Sequence, residues 1–350
     1  MTSVERIQCT LSGKIPDRVP MFDFLFQKPL FTEMIDVTPG DYSLVQAVDC
    51  ARALNLDMTF GIVGAAENFE CVIDGDGKYR DEFGTLRIRR SEASWPIDAP
   101  VEFPIKEEAD FKKFQFPDPC DKGRFKDLHD GLMYNGGDLA VCSGVDGPFT
   151  TVWMLMGPEE LLVQMHTDPD FIKEMLNKAA DYLIEIAKGI LKEKPTMFSI
   201  AEDLGASAGS FISPEMFREF VRPVLERMMD VVDIPVFFHS CGNITNLLDD
   251  IVDLGIALIH PLQRTANMDI AYVKEKYGKR VAIAGNIDSS RTLPYGSPED
   301  VEKEVRETMK IAKPGGRYIL ASDHSLHDGI PVENIKRLFK TGLEAGVYSH

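Results

Sequence analysis

The sequence predicts an α/β protein folded as a (β/α)8 TIM barrel, and three observations lead to this prediction. The chain has 350 residues, a length that suits a barrel of roughly 250 residues with insertions. Short runs of β-branched and aromatic residues recur and are separated by segments with helical periodicity. Most of these runs are continuously apolar, as expected for parallel strands that are covered on both faces. Together these observations favour a single domain over residues 1–350.

Eight apolar runs are predicted to be the barrel strands, at residues 19–24, 58–62, 139–144, 197–201, 236–240, 257–260, 281–286 and 318–322. Helices are predicted between them. Ser213-Pro214-Glu215 and Ser297-Pro298-Glu299 each provide an N-cap, a proline in the first turn and an acidic residue. Because the carboxyl ends of the strands meet on one face of such a barrel, functional residues are expected there.

Residues 67–117 interrupt this alternation and are predicted to be an insertion on the barrel. Asp74-Gly75-Asp76-Gly77 is a turn sequence, and the polar alternation of residues 78–90 is typical of an exposed hairpin. A calcium loop is not indicated, because Lys78 and Tyr79 stand where such a loop needs a ligand and a glycine.

Composition and charge exclude several classes of partner. The formal net charge is −18 at pH 7, so the mean field of the molecule repels nucleic-acid phosphates and anionic lipids. No window approaches the roughly 20 apolar residues of a membrane span, and the first residues do not resemble a signal peptide. We therefore expect a cytoplasmic protein with no nucleic-acid or membrane partner. The six cysteines form no Cys-x-x-Cys pair, which favours reduced thiols.

A candidate metal site starts from His239 and Cys241, which lie two residues apart at the end of a predicted strand and project to the same side. Imidazole and thiolate are ligands that zinc prefers, and a catalytic zinc site needs three protein ligands and one open position. His324 follows the last predicted strand on the same face and is a candidate third ligand. The residues alone leave two alternatives open, namely a buried cysteine beside a hydrogen-bonded histidine and a loop histidine at position 324.

Other polar residues follow further strands. Glu202 and Asp203 come directly after residues 197–201, where carboxylates serve as metal ligands, as groups that orient ligands or as general acids. Solvation of a loop or a helix start is the alternative. Asn286 and Asp288 are candidates for the substrate pocket, with capping of the following turn as the alternative.

These residues belong to motifs through which the chain resembles the uroporphyrinogen decarboxylase superfamily over nearly its whole length. The motifs are Pro16-Asp17-Arg18-Val19-Pro20, Gly147-Pro148-Phe149, Asp203-Leu204-Gly205, Ile212-Ser213-Pro214-Glu215, His239-Ser240-Cys241-Gly242-Asn243, Gly285-Asn286-Ile287-Asp288, Ile319-Leu320-Ala321 and Pro331-Val332-Glu333-Asn334. The superfamily includes the zinc-dependent methyltransferases of corrinoid systems. The resemblance therefore implies a barrel enzyme in which the His-x-Cys pair binds zinc.

The chain departs from the true decarboxylases of this superfamily. Those enzymes carry an arginine-rich Met-Arg-Gln-Ala-Gly-Arg-Tyr segment after the first strand, which binds the carboxylates of the porphyrinogen. Residues 21–28 read MFDFLFQK here, so an aspartate and phenylalanines replace the guanidinium groups. A metal-free decarboxylase of the uroporphyrinogen type is therefore kept only as an alternative.

The methyltransferase branch uses a later cysteine as a third ligand, where this chain has His324. A site with one thiolate leaves the zinc ion more positive, which suits polarising an ether oxygen and stabilising a leaving phenolate. The resemblance thus favours O-demethylation of a methoxylated aromatic. In this hypothesis Glu202 or Asp203 assists as ligand or acid, and Phe22 and Phe24 form an apolar wall of the substrate pocket.

The resemblance also implies partners. The chain has no Asp-x-His-x-x-Gly signature for the lower ligand of cobalamin, so the corrinoid is predicted to be carried by a separate protein that docks over the barrel rim. A small-molecule methyl donor or acceptor completes the reaction, and a homodimer is expected from the family. A coenzyme M-type thiol methyltransferase and a barrel that binds without catalysing are the remaining alternatives.

Overall fold

A computed structural model describes residues 1–38, 40, 42–89 and 98–348. In these residues the strands are β1 (Met58–Gly61), β2 (Lys78–Arg80), β3 (Leu86–Arg89), β4 (Asp98–Glu102), β5 (Ala140–Asp146), β6 (Met197–Ala201), β7 (Gly205–Ala206), β8 (Gly209–Ser210), β9 (Val236–His239), β10 (Leu258–His260), β11 (Ala282–Ile287) and β12 (Tyr318–Ser322).

The helices of the same residues are α1 (Ser3–Leu11), α2 (Lys28–Ile35), α3 (Leu44–Ala53), α4 (Glu108–Phe111), α5 (Lys126–Asn135), α6 (Pro148–Met156), α7 (Pro158–Thr167), α8 (Pro169–Lys192), α9 (Pro214–Met216), α10 (Arg222–Met229), α11 (Leu248–Asp253), α12 (Ile270–Tyr277), α13 (Thr292–Tyr295), α14 (Pro298–Ala312) and α15 (Val332–Gly346). Short 3-10 helices occupy Lys122–Phe125, Thr245–Leu247 and Arg264–Ala266, and a π-helical turn occupies Phe217–Val221. None of the helices in the described part of the chain has both the length and the apolar character needed to cross a membrane.

Seven parallel strands form the barrel in the order β1-β5-β6-β9-β10-β11-β12. The two edges of this sheet meet across one short segment, in which Met21 bridges Leu320 of β12 and Phe22 bridges Met58 of β1. The predicted α/β barrel is confirmed. The carboxyl ends of the strands therefore lie together on one rim.

Residues 19–24 do not form the continuous first strand that the sequence predicts. They contribute single β-bridges to the sheet, and there are two reasons for this. Pro20 has no N–H to donate, and the N–H of Met21 donates to the carboxylate of Asp57 at 2.9 Å and not to a strand neighbour. The other seven predicted strands are present, with ends that differ by one or two residues.

The interior of the barrel is filled by side chains. Large residues such as Phe22 and Phe237 alternate with small residues such as Ala140, Ala282 and Ala321, and all of them are fully buried. A second and larger apolar layer lies between the strands and the surrounding helices. The barrel is therefore a packed core, and open space is left only toward its rim.

Residues 67–117 contain a three-stranded antiparallel sheet in the order β2-β3-β4. Strands β2 and β3 are the predicted hairpin, whereas residues 90–97 between β3 and β4 lie outside the described residues. The sheet is attached to the barrel by a bidentate ion pair in which Arg124 Nη1 and Nη2 lie 2.7 and 2.8 Å from the two carboxylate oxygens of Glu82. Arg124 is 2% exposed. That residues 67–117 are an insertion on a barrel spanning residues 1–350 stays a prediction.

Candidate functional site

His239, Cys241 and His324 come together at the rim, at the ends of β9 and β12. Their ligand atoms all lie within 4.8 Å of one another, and His239 Nε2 is 3.2 Å from Cys241 Sγ. Zinc–nitrogen and zinc–sulfur bonds of about 2.0 and 2.3 Å give tetrahedral edges of roughly 3.3–3.6 Å. The donor set thus fits a zinc ion in its chemistry, and its longest edge would shorten by roughly 1 Å on binding.

Burial determines the protonation of these three groups. It lowers the pKa of His239 and lowers the pKa of His324 to about 4, so both imidazoles are neutral and offer a lone pair at neutral pH. Burial also raises the pKa of the Cys241 thiol, and the nearby Asp203 raises it further. Binding of a cation at this site would therefore release the thiol proton.

Two loops in close contact fix the position of Cys241. Its N–H donates to Asp203 Oδ1 at 3.0 Å, and the N–H of Gly242 donates to Gln263 Oε1 at 2.9 Å. Gly242 has a φ of +73°, and a Cβ atom at this position would lie 2.3 Å from the backbone of Gly205. Glycine at both positions therefore allows the loop after β9 to lie directly against the β7–β8 hairpin.

His260 is a functional candidate that the sequence analysis missed. It ends β10, pairs in register with His239, and its Nδ1 lies 2.8 Å from His239 Nδ1. It is 1% exposed, and burial lowers its pKa well below the ordinary value. The signal in the sequence was a histidine at the end of two successive predicted strands.

The two predicted acidic residues lie in different places. Asp203 Oδ1 is 3.9 Å from His239 Nε2, beside the cluster. Glu202 is fully buried, and its carboxylate accepts the N–H groups of Phe149 at 3.0 Å and Thr150 at 2.8 Å, in the first turn of α6. Burial raises the pKa of Glu202 to about 8. Glu202 therefore caps a helix and is not among the residues that line the cavity described next; its role as a catalytic group stays a prediction.

A cavity of about 400 Å³ opens beside the cluster, and His239 and His324 form part of its wall. Much of the remaining wall is aromatic or aliphatic, including Phe24, Phe26, Phe60, Phe83, Leu183 and Ile186. Arg124, Glu82 and Tyr182 add polar groups where the sheet β2-β3-β4 and helix α8 meet the barrel. The volume and lining suit a small, largely apolar molecule with one end at the histidines.

Of the two phenylalanines predicted to form the pocket wall, Phe24 lines the cavity and Phe22 does not. The Phe22 ring is fully buried in the barrel interior, where its centroid lies 5.6 Å from that of Phe237. Residues two apart on an extended segment face the same side, so both rings enter the interior, and only the ring of Phe24 reaches the open space.

Asn286 and Asp288, the other predicted pocket residues, also lie outside the cavity lining. The Nδ2 of Asn286 donates to the carbonyl of Leu262. The carboxylate of Asp288 accepts the N–H groups of Ser290 and Arg291, both at 2.8 Å. Both side chains therefore hold loops in place, as in the capping alternative.

Asp146 faces the cavity and was also missed by the sequence analysis. It ends β5 and pairs in register with Ala201 of β6, which pairs with His239 of β9. The enclosing protein atoms raise the pKa of Asp146 to about 6, and Asp203 contributes to this rise. Its signal in the sequence was a carboxylate two residues after the predicted strand at residues 139–144.

Comparisons with known proteins extend these observations. The sequence model of a family described as "Uroporphyrinogen decarboxylase (URO-D)" matches residues 97–344. A relative, "Methylcobamide:CoM methyltransferase MtaA" of Methanosarcina barkeri, is 26% identical over 203 residues, which are 58% of this chain and 58% of that protein. "Uroporphyrinogen decarboxylase" of Prochlorococcus marinus is 24% identical over 258 residues, 69% of this chain and 70% of that protein.

A further relative, "Methylated-thiol--coenzyme M methyltransferase" of Methanosarcina mazei, is 26% identical over 60% of this chain and 55% of that protein. The chain thus spans less than two thirds of the length of the methyltransferases that it matches. A solved structure, "methyltransferase from Methanosarcina mazei", superposes with a TM-score of 0.76 at 19% identity and covers 98% of this chain and 99% of that chain, which supports the barrel fold. Because the family model spans well over half of the sequence, the chain belongs to the uroporphyrinogen decarboxylase (URO-D) family.

Proposed function

We propose that this chain is a zinc-dependent methyltransferase that moves a methyl group between a small substrate and a corrinoid carried by a separate protein. The observation that carries the proposal is the convergence of His239, Cys241 and His324 at one end of an apolar cavity. Relatives in the same family that are named as methylcobamide methyltransferases support it. A bound zinc ion supplies a Lewis acid that stabilises negative charge on a substrate oxygen or sulfur.

The wall of the cavity favours a methoxylated aromatic as the methyl donor. Among the described residues that line it, the guanidinium of Arg124 is neutralised by Glu82, and Asp146 adds a further carboxyl group. Coenzyme M carries a sulfonate group, and an anion of this kind is bound best by an unpaired cation, which these lining residues do not offer. A neutral aromatic ring instead finds apolar and aromatic surface.

The phenylalanines of the wall would orient such a ring. Phe24 contacts Phe60 edge-to-face at a centroid distance of 4.9 Å and stacks on Phe26 at 5.9 Å. The same Phe24 ring contacts the imidazole of His239 edge-to-face at 5.8 Å. A substrate ring packed on this cluster would therefore have an edge close to the three donors, where the methoxy group must lie.

A second candidate function, methyl transfer to a thiol, is favoured by the names of the methyltransferase relatives. It uses the same zinc site, and it differs in the small substrate and in the direction of transfer. The two candidates are therefore separated by the substrate that the zinc-loaded protein accepts.

The first experiment is zinc analysis of the protein and of His239→Ala, Cys241→Ala and His324→Ala. His166→Ala and Cys120→Ala are matched controls, because both residues are exposed and distant in sequence from the cluster. We expect about one zinc per chain in the wild type and the controls, and loss of zinc in the three variants. No zinc in wild type after loading would contradict the proposal.

The second experiment incubates the zinc-loaded protein with a cobalt(I) corrinoid protein and methoxylated aromatics, and follows phenol release and the spectrum of methylated corrinoid. Demethylation supports the favoured function. Turnover with a thiol acceptor and methylated corrinoid, but with no methoxyarene, would support the second candidate instead.

A further inference from the structure

We propose that Asp146 is the catalytic acid that protonates the substrate oxygen as that oxygen loses its methyl group. This inference rests on the proposed function and adds to it the residue that supplies the proton. Glu202 and Asp203 were the acids expected from the sequence, and the structure gives each of them a different task.

The register of the barrel places Asp146 on the same rim as His239, two strands away from it. Asp146, Ala201 and His239 occupy one level on the adjacent strands β5, β6 and β9. Neighbouring strands lie about 4.8 Å apart, so the backbones of Asp146 and His239 are separated by roughly 10 Å. Both side chains line the same cavity, which leaves room for the ether oxygen of a substrate between the carboxyl group and the donor cluster.

The side chain of Asp146 is available for this task, whereas the other acids around the site are occupied. The carboxyl group of Asp146 makes no hydrogen bond or ion pair with another described residue, and it is exposed to the cavity. Glu82 is paired with Arg124. Glu202 caps α6, and Asp203 accepts the N–H of Cys241. An acid without a structural partner, in a cavity that fits a substrate, is expected to act on that substrate.

The charged and titratable groups around Asp146 come from several elements. Asp203, after β6, raises its pKa, and Arg87 of β3 lowers it, while enclosure by the protein has the largest effect and the resulting pKa is about 6. His239 and His324 across the cavity are neutral at pH 7 because burial lowers their pKa values. The ion pair of Glu82 and Arg124 adds no net charge. A carboxyl group with this pKa keeps a protonated fraction near neutral pH, as a general acid requires.

The proposed step moves a methyl group, an electron pair and a proton. The bond between the methyl carbon and the ether oxygen breaks, and its electron pair stays on the oxygen. The methyl group passes to the cobalt(I) of the partner's corrinoid, whose electron pair forms the new cobalt–carbon bond. The proton moves from the carboxyl group of Asp146 to the oxygen and gives a phenol, and solvent then reprotonates Asp146.

The test compares the wild type with Asp146→Asn and Asp146→Glu on methoxyarenes whose product phenols differ in acidity. A nitro-substituted phenol leaves without help from an acid, whereas an unsubstituted phenol, with a pKa of about 10, needs the proton. We expect Asp146→Asn to slow the unsubstituted substrate by about 100-fold and the nitro substrate by far less. Asp146→Glu should recover part of the rate.

Three further measurements complete the test. Asp138→Asn, at an exposed acid on the far side of α5, is the matched control and should leave all rates unchanged. The wild-type rate on the unsubstituted substrate should fall as the pH rises through the pKa of Asp146, and this limb should be absent in Asp146→Asn. Carbon-13 NMR of the carboxyl groups should show a signal with a raised pKa that is missing in Asp146→Asn.

The outcomes separate this inference from the proposed function. Equal rate losses on both substrates, or unchanged rates, overturn the role of Asp146 and leave the methyltransferase intact. Failure of the zinc-loaded wild type to demethylate any methoxyarene overturns the favoured function, and with it this role.

Discussion

The Nδ1 atoms of His239 and His260 lie 2.8 Å apart inside the barrel rim. One nitrogen must donate a proton and the other must accept it, because both rings are buried and neutral. The Nε2 of His239 faces Cys241 Sγ. For Nε2 to offer its lone pair to a metal ion, the proton of His239 must sit on Nδ1 and be donated to His260. His260 as the acceptor would therefore hold His239 in the tautomer that can bind a metal ion.

Replacement of His260 should weaken zinc binding. His260→Phe keeps a ring of similar size and removes the acceptor, so we expect the affinity for zinc to fall by about 10- to 100-fold. His260→Gln keeps an acceptor and should bind zinc more tightly than His260→Phe. Chelator competition measures the affinities, and the visible spectrum of the cobalt-substituted protein reports the ligand set. His166→Phe, at an exposed histidine, is the control. Equal affinities for His260→Phe and the wild type would refute the tautomer role.

Glu202 should be important for stability and not for metal binding. Glu202→Leu leaves the N–H groups of Phe149 and Thr150 without an acceptor in a buried site, which should lower the free energy of unfolding by roughly 3 kcal/mol. Glu202→Gln keeps one acceptor and should cost about 1 kcal/mol. Urea denaturation measures both, with Glu159→Gln at an exposed position of α7 as the control. Loss of zinc from folded Glu202→Gln would show that this acid acts at the metal site after all.

Asp23 should make the protein less stable as the pH rises. It is fully buried, and burial raises its pKa from 3.8 to about 7 against the hydrogen bonds from Ser322 and Phe24. Between these two values the folded state binds more protons than the unfolded state, so the free energy of unfolding falls with rising pH. The change is on the order of 4 kcal/mol over this range.

The comparison of wild type with Asp23→Asn isolates this contribution. The difference between their unfolding free energies should change steadily between pH 4 and pH 7, in the direction that disfavours the wild type at the higher pH. The difference between the wild type and Asp138→Asn, at an exposed acid, should stay nearly constant. If the difference in unfolding free energy between wild type and Asp23→Asn did not change with pH, Asp23 would be ionised throughout this range.

Replacement of the buried Arg124 should lower the free energy of unfolding, even when the new residue is lysine. Arg124 binds both oxygens of Glu82 and also donates to the carbonyls of Asp118 and Gly64. Lysine keeps the charge and cannot reproduce this geometry, so Arg124→Lys should lower stability by about 2–3 kcal/mol. The more exposed Arg52→Lys should change it by less than about 0.5 kcal/mol. Urea denaturation checks the magnitudes, and equal effects of the two changes would contradict this account.

The features of the structure that could be predicted from the sequence are those that depend on the pattern of residues within one short segment. Continuous apolar runs predicted seven of the barrel strands, and strand ends predicted that His239, Cys241 and His324 would meet. Zinc ligation, a homodimer and a cytoplasmic location stay predictions. The prediction of a continuous strand at residues 19–24 was wrong. The N–H of Met21 donates to the carboxylate of Asp57, about 36 positions away, and so does not pair with a strand neighbour.

The parts that the sequence did not predict depend on register between distant segments. Asp146 and His260 become candidates only when β5, β9 and β10 are aligned residue by residue. Phe22, Asn286 and Asp288 have the same residue types as pocket groups, and only their contacts show that they fill the core or hold loops.

The closing contact of the barrel joins residues that are nearly a full chain length apart. Ser322 donates from its N–H and its hydroxyl to the carboxylate of Asp23, each at 2.8 Å and across 299 residues. His324 follows directly after β12, so it reaches His239 and Cys241 only when this contact forms. Both ends of the barrel must therefore be synthesised before all three donors can come together. A metal ion that needs all three donors would therefore be captured only after the ring has closed.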